Sequence, residues 1–422
     1  MAETRNDEKI SSRDREILRR LAEAQAAIAD LPVQSENAER WRRVNALQPA
    51  RPPVLIFEIP WGEYDIPELA LQAEHPFCRN LELNFRRLLY QWRNFPGEMV
   101  VENRLYCPLV IRDSGFGLAV KERTIPQGPA AHISSHLYEA QLQDEADLEK
   151  IKPPVITLDR ETTELRFQQM RDLFDGILPV EKRGRAGGWF APWDLLVRWW
   201  GVEAALADLV LRPALIHQAM DRLVNAYLAG LDQLESQNLL ALNNANDRVG
   251  SGGLGYTDQL PAPGFDPAQV RTIDLWGGAT AQIFSEVSPR MHEEFALEHE
   301  LPWLARFGLN YYGCCEPLHH KIGILKRIPR LRKISMSPRA RLAEGAAAIG
   351  GRYVFSLKPN PASLAGDDWN PERVRAELRQ ALEAARGCAV EIILKDISTT
   401  RGDPRRLADW ARVAAEVTAA FA

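Results

Sequence analysis

YVFSLKPNPASLAGDDWNPERVRAELRQALEAARGCAVEIILKD, residues 353–396, is the stretch that decides the fold. It opens on a short apolar run, YVFSLKPN (353–360), and closes on another, VEIILKD (390–396). Between them PERVRAELRQALEAARG carries a helix pattern. Asn370-Pro371 supplies a capping residue followed by proline at the first helical position. Strand, helix, strand in one stretch is a βαβ unit, and such units build parallel sheets.

The same rhythm runs backwards along the chain. Short apolar runs recur at GILPV (176–180), LLALNN (239–244), TIDLWGG (272–278), GLNYYGCC (308–315) and LRKISMSP (331–338), with helix patterns between most of them. VLIFEI (54–59), after a Pro-Pro entry, makes the runs eight. Eight alternating units predict an α/β chain closed into a (β/α)8 barrel of the TIM type. An open doubly wound sheet would want a Gly-rich phosphate turn after an early strand, and the sequence has none there. The barrel is expected over 51–422, with an insertion at 61–175 after its first strand, and with a helical extension over 1–50 before it. The extension includes an amphipathic helix at 13–30, whose charged face reads as solvated. The insertion is rich in aromatics and charges, with a helix near 81–92.

Composition narrows the classes. Of 422 residues, 45% are hydrophobic and 26% charged, enough apolar residues for a large core. A net charge of −5 makes no electrostatic case for nucleic acid. No run of about 18 apolar residues predicts a membrane span. The polar N-terminus lacks a secretory pattern. The five cysteines (Cys78, Cys107, Cys314, Cys315, Cys388) lack framework spacing, so reduced thiols in a cytoplasm are expected.

A barrel of this type works at the C-terminal ends of its strands. Those ends carry Glu58, Asn243, Asn244, Trp276, Cys314, Cys315, Glu316, Lys358, Lys395 and Asp396. GCCEPLHH (313–320) gathers scarce metal-seeking side chains at one of them. Thiolate sulfur with the Glu316 carboxylate suits Zn2+, and the His319 imidazole would complete the set. The bland alternative is a pair of small buried hydrophobes. Because successive strand side chains point to opposite faces, only one of Cys314 and Cys315 is expected to face the mouth. Glu58 ends an apolar strand, where it needs a cation or serves as acid or base. Lys395 and Asp396 are candidate catalytic partners. Asn243, Asn244, Trp276 and Lys358 are candidate contacts for a small-molecule substrate. The Gly-rich segment 243–261 reads as an anion cradle or a mobile lid. Trp189, Trp193, Trp199 and Trp200 read as core, with one or two flooring a pocket.

Three stretches carry a family resemblance. APWDLLVRWWGVEAALADLVLRPALIHQAMDRL (191–223), LWGGATAQIFSEVSPRMHEEF (275–295) and ISTTRGDPRRLADWARV (397–413) resemble, in order and spacing, the uroporphyrinogen decarboxylase superfamily over residues 176–422. NYYGCCEPLHHKIGILKRIP (310–329) with VEIILKDIST (390–399) looks like a branch of it distinct from the haem enzymes. That superfamily holds metal-free tetrapyrrole decarboxylases and zinc-dependent methyltransferases that act with corrinoid proteins. The decarboxylases' arginines after the first strand are replaced here by EIPWGEYD (58–65). The methyltransferases' His-X-Cys matches Tyr312-Gly313-Cys314, so Tyr312 takes the histidine's place and joins the candidate substrate contacts. Their second cysteine, after the last strand, is replaced by Lys395-Asp396. The resemblance implies a methyltransferase moving a methyl group between a small substrate and a corrinoid or thiol acceptor. It implies an altered zinc set drawn from Cys314, Cys315, Glu316 and His319, and a corrinoid protein as partner. A metal-independent decarboxylase or lyase, or a binding protein without catalysis, are the rival readings. The extension and insertion offer surfaces for a homodimer.

Overall fold

The computed structural model describes residues 10–125 and 135–421. Residues 1–9 of the extension and 126–134 of the insertion lie outside the described residues.

Among the described residues seven strands form one parallel sheet. They are β1 (Val54–Ile56), β2 (Gly188–Phe190), β3 (Trp276–Ala279), β4 (Leu309–Tyr312), β5 (Leu331–Met336), β6 (Val354–Leu357) and β7 (Ala389–Leu394), in spatial order β1-β7-β6-β5-β4-β3-β2. From β2 to β7 each new strand is laid beside the last, while β1 pairs with β7, Ile56 opposite Leu394, so that β1 and β2 are the two edges. The stretch 353–396 forms as its pattern predicts. β6 and β7 pair in parallel, and the helix α1 (Pro371–Ala384) joins them. The Asn370 side chain accepts from Glu372 N and Arg373 N, which caps that helix. Its Val374, Leu378, Ala381 and Leu382 fall on one face and are buried in the layer between helices and sheet.

Strand alternation sorts the sheet's two faces. Ile334, Met336, Phe355, Leu357, Val390, Ile392 and Leu394 face the helices in the main hydrophobic cluster. Trp189, Tyr311, Lys333, Ser356 and Glu391 alternate with them, and the contacts below place them on the inner face.

The structure differs from the eight-strand expectation in two places. The run expected at 176–180 joins the sheet ten residues later, at β2. The chain from 180 to 190 makes three short parallel pairings in turn. Val180–Arg183 pairs with Leu105–Pro108, Arg185–Ala186 with Leu240–Ala241, and β2 with β3. Gly184 and Gly187 sit at the changes of partner, where a Cβ would meet the Leu239 carbonyl or the Asn243 amide. The run at 239–244 pairs over only two residues and stands outside the sheet. The Asn243 amide takes its place beside β3, donating to Trp276 O and accepting from Trp276 N, each at 2.9 Å.

Residues 98–108 touch β1 at one edge of the sheet and, further on, the chain that leads into β2 at the other. Glu98 N donates to Val54 O at 2.8 Å on β1, and Leu105–Pro108 pairs with the chain that leads into β2. The insertion holds the expected helix, over Pro76–Asn94, together with strands its sequence did not announce, among them the antiparallel pair Ile111–Asp113 and Ile156–Leu158. No helix among the described residues is long and apolar enough to cross a membrane.

The Gly-rich segment is neither lid nor cradle. Ser251 to Thr257 are buried, and the segment runs across the inner face of the sheet. A Cβ on Gly252 would strike the Tyr311 ring and the Glu391 carboxylate, and one on Gly253 the Trp41 ring. Glycine is needed because backbone here fills space that side chains fill elsewhere. The extension pins this plug. Trp41 is fully buried and its indole donates to Glu98 O at 2.7 Å, while the Asn45 amide donates to Leu254 O and Tyr256 O at 2.9 and 2.8 Å.

Candidate functional site

The inner face of the sheet carries a column of polar side chains among apolar ones. Lys333 on β5 and Glu391 on β7 form an ion pair at 2.9 Å with both side chains fully buried. Ser356 Oγ donates to Glu391 at 2.5 Å. One level towards the strand ends, the Lys358 ammonium donates to Ser356 Oγ at 2.6 Å, Ser356 O at 3.0 Å and the Tyr311 hydroxyl at 2.8 Å. Burial brings Lys358 down to about 7, against the upward pull of Glu391. Ser251 of the plug bridges the Tyr311 hydroxyl, 3.0 Å, and Gly313 O, 3.1 Å.

Above this column, at the strand ends, the sulfurs meet the charges. Lys395 Nζ lies 3.7 Å from Cys314 Sγ, 4.0 Å from Cys315 Sγ and 2.6 Å from the Asp396 carboxylate. Cys315 Sγ is 3.6 Å from that carboxylate and 3.5 Å from Cys314 Sγ. Both cysteines therefore reach the mouth, where alternation predicted one. The chain leaves β4 at Gly313, whose φ of 97° only glycine adopts readily, so the strand's alternation stops before the pair.

Electrostatics divides the two thiols. Their mutual hydrogen bond, aided by Lys395 and opposed by burial, brings Cys314 down to about 7. The same bond, together with burial, holds Cys315 well above the usual thiol range. Burial opposes the Lys395 charge, but Cys314 and Asp396 hold its ammonium above the ordinary lysine value. A readily ionised thiol, an ammonium and a thiol donor thus share one corner.

Glu58 completes the rim. Its carboxylate accepts from Arg248 at 2.9 Å and from Asp396 N at 2.8 Å. Burial opposes its charge, yet these hydrogen bonds and the nearby cations hold it at about 2. Glu58 is the anion of an ion pair, which answers its need for a cation and removes it as a proton donor. Glu58 and Asp396 both sit at φ 56°, left-handed positions without glycine. Such strain collects at functional sites.

The other sequence candidates lie elsewhere. Glu316 is fully buried and turned into the wall, where it accepts from Thr280 Oγ1 and Cys314 N, each at 2.8 Å. His319 accepts from Arg341 at 3.0 Å, beside His320. Among the described residues no group of three His, Cys, Asp or Glu side chains is placed to hold a metal. Cys314, Cys315, Glu316 and His319 therefore do not fit a zinc ion as one ligand set. Tyr312 points away from the mouth into the helix layer, where its hydroxyl meets Glu300 and His292, each at 2.7 Å. The Asn244 amide donates to Leu260 O at 2.7 Å, and the Trp276 indole to Gly255 O at 2.8 Å. With Asn243 they hold the plug and strand, and none is brought to the mouth.

Sequence reasoning passed over Arg248, Ser251 and Tyr311. Counting by twos along β4 separates Tyr311 from Tyr312; Arg248 and Ser251 carry no local signal, because the fold of the plug alone places them. Of the four tryptophans, Trp193, Trp199 and Trp200 are buried. Trp189 is 41% exposed on the inner face, packed on Gly250 and Gly278 with its ring 6.4 Å from that of Tyr311.

No protein-family model matches the sequence, and no curated protein is similar to it. Among solved structures the chain is similar to a methyltransferase from Methanosarcina mazei. Identity is 12%, the TM-score is 0.40, and the likeness covers 72% of this chain and 76% of that one.

Proposed function

We propose that the chain is an enzyme, a methyltransferase in which the Cys314 thiolate takes part as nucleophile. The observation that carries this reading is the Lys395 ammonium 3.7 Å from Cys314 Sγ at the strand ends. An ammonium at that range stabilises thiolate over thiol, and the thiolate is the reactive form. The curled parallel sheet, with residues 98–108 running from β1 to the chain that leads into β2, is read as a (β/α)8 barrel with its mouth at this corner. Methyl as the transferred group comes from the resemblance of the stretches 191–223, 275–295 and 397–413 to the uroporphyrinogen decarboxylase superfamily. The acceptor or donor is then a small substrate on one side and a thiol or corrinoid on the other.

In that reaction the Cys314 sulfur attacks the methyl carbon. A carbon–sulfur bond forms as the bond to the leaving atom breaks, and the leaving group keeps the electron pair. The acceptor thiolate then attacks the same methyl carbon, its new carbon–sulfur bond forming as the bond to Cys314 breaks, and the Cys314 sulfur keeps that pair as the thiolate. Lys395 holds the attacking charge in place. Glu58 stays ionised and fixes Arg248 and the Asp396 backbone. The ligands proposed for zinc do not converge, so no step is routed through a metal.

The test is transfer of an isotopically labelled methyl group from methylcobalamin to a small thiol, read by mass spectrometry. Wild-type protein is expected to transfer label, with a labelled Cys314 peptide, and Cys314→Ala to lose both. Equal transfer by Cys314→Ala would remove the thiolate from the reaction. A metal-free decarboxylase acting on a small carboxylate is the second reading. Lys395 and Arg248 at the rim favour it, as cations able to hold a carboxylate. Release of CO2 that survives Cys314→Ala would select it.

A further inference from the structure

We propose that Cys314 and Cys315 are an oxidation site, closed by peroxide into a vicinal disulfide and reopened by a small thiol. The sulfurs stand 3.5 Å apart. A disulfide holds its sulfurs about 2.05 Å apart, so closure asks each to move less than about 1 Å. The side chains already share one side of the chain, because Gly313 at φ 97° turns it out of β4 just before them. Cys315 is exposed and Cys314 half-buried, so a small oxidant reaches the pair. The remaining cysteines differ. Cys78 and Cys107 are buried, and Cys388 lies against Ala346 O at 3.7 Å.

The chemistry balances with hydrogen peroxide as oxidant. The Cys314 thiolate attacks one peroxide oxygen; a sulfur–oxygen bond forms, the oxygen–oxygen bond breaks, and hydroxide leaves. The Cys315 sulfur then attacks the Cys314 sulfur. The sulfur–sulfur bond forms, the sulfur–oxygen bond breaks, and the oxygen leaves as water with the Cys315 proton. The two sulfurs lose the two electrons that the peroxide gains. Adjacent residues hold their Cα atoms closer than the usual disulfide range of about 4.4–6.8 Å, so the ring is strained and readily reduced. Lys395, within 4.0 Å of both sulfurs, favours the thiolate that starts the sequence and later the one that a reductant releases. Closure would also remove the nucleophile. That consequence alone rests on the methyltransferase reading; the disulfide itself does not.

The experiment treats the full chain with hydrogen peroxide, alkylates free thiols with iodoacetamide, and weighs the tryptic peptide 307–321. The expected peptide has lost two hydrogens and resists alkylation, and dithiothreitol restores two alkylated cysteines. In Cys315→Ser, dimedone is expected to trap a sulfenic acid on Cys314. A wild-type peptide that gains oxygen, or stays doubly alkylated while free methionine added to the same tube is oxidised, overturns the proposal. If the disulfide forms while methyl transfer is absent with reduced protein, the site stands and the function assigned to it falls.

Discussion

Replacing Lys395 by methionine removes the ammonium and keeps most of the side-chain volume. At 3.7 Å from Cys314 Sγ, the pair is worth roughly 1 kcal/mol under bulk-water screening and roughly 4 kcal/mol at an effective dielectric of about 20. Asp396 neutralises part of the ammonium from 2.6 Å, which places the loss towards the lower figure. One pKa unit is about 1.4 kcal/mol, so Lys395→Met should raise the Cys314 thiol by about one unit or more from its value near 7. Asp396, left without its cation, pushes the same way. The assay is the pH dependence of iodoacetamide alkylation at Cys314, followed on the 307–321 peptide so that the other cysteines do not interfere. The midpoint is the quantity to read. At neutral pH the thiolate fraction falls about five-fold, but a more basic thiolate attacks faster, and the rate itself drops only about two-fold. A midpoint unmoved or lowered by Lys395→Met would mean that the ammonium does not govern the sulfur.

The polar column predicts that Lys333→Met, which leaves Glu391 buried without its partner, costs about 3–5 kcal/mol in urea unfolding, and that Lys333→Met with Glu391→Leu recovers most of the loss. Burial raises Glu300 to about 8, so its stabilising contribution is complete below the ordinary value of 4.5 and is lost as pH rises towards 8. Glu300→Gln, which still accepts from Tyr312, should therefore melt above wild type at about pH 9, with the gap closing by about pH 5; an unchanged gap would show that Glu300 ionises normally. Gly253→Ala should destabilise by about 1–3 kcal/mol or more, because its Cβ meets the Trp41 ring and Glu391. Gly323→Ala, with nothing within 4 Å, should be neutral or stabilising, and equal melting of the two variants would contradict a packed plug.

Much of the sheet was legible because its strands bury both faces or close to it, leaving short, dense apolar runs with helix patterns between. The capped unit at 353–396 shows this best. Glu58, Cys314, Cys315, Lys395 and Asp396 were legible for the same reason: a parallel sheet puts every strand's C-terminal end on one rim. What failed to show had non-local causes. Asn243 and Trp276 look like mouth residues by position, but the Asn243 amide imitates a strand's hydrogen bonds, a role set by its neighbour in space. The glycines of 250–255 look the same in a mobile lid and in a plug; only Trp41, more than two hundred positions away, decides between them. Lys333 and Glu391 sit within apolar runs, and neither names its partner. Glu316 and His319 followed the cysteines in sequence, but the turn at Gly313 and the wall contact with Thr280 lead them away.

The most direct test of the central claim joins the amine and the sulfur chemically. o-Phthalaldehyde forms a fluorescent isoindole only from a primary amine and a thiol held within bonding reach of one small ring. Lys395 Nζ and Cys314 Sγ at 3.7 Å predict a single dominant isoindole that links the peptides carrying Cys314 and Lys395 and disappears in Lys395→Met. An isoindole elsewhere, or none on folded protein with both residues present, would contradict the shared rim on which the proposed chemistry depends.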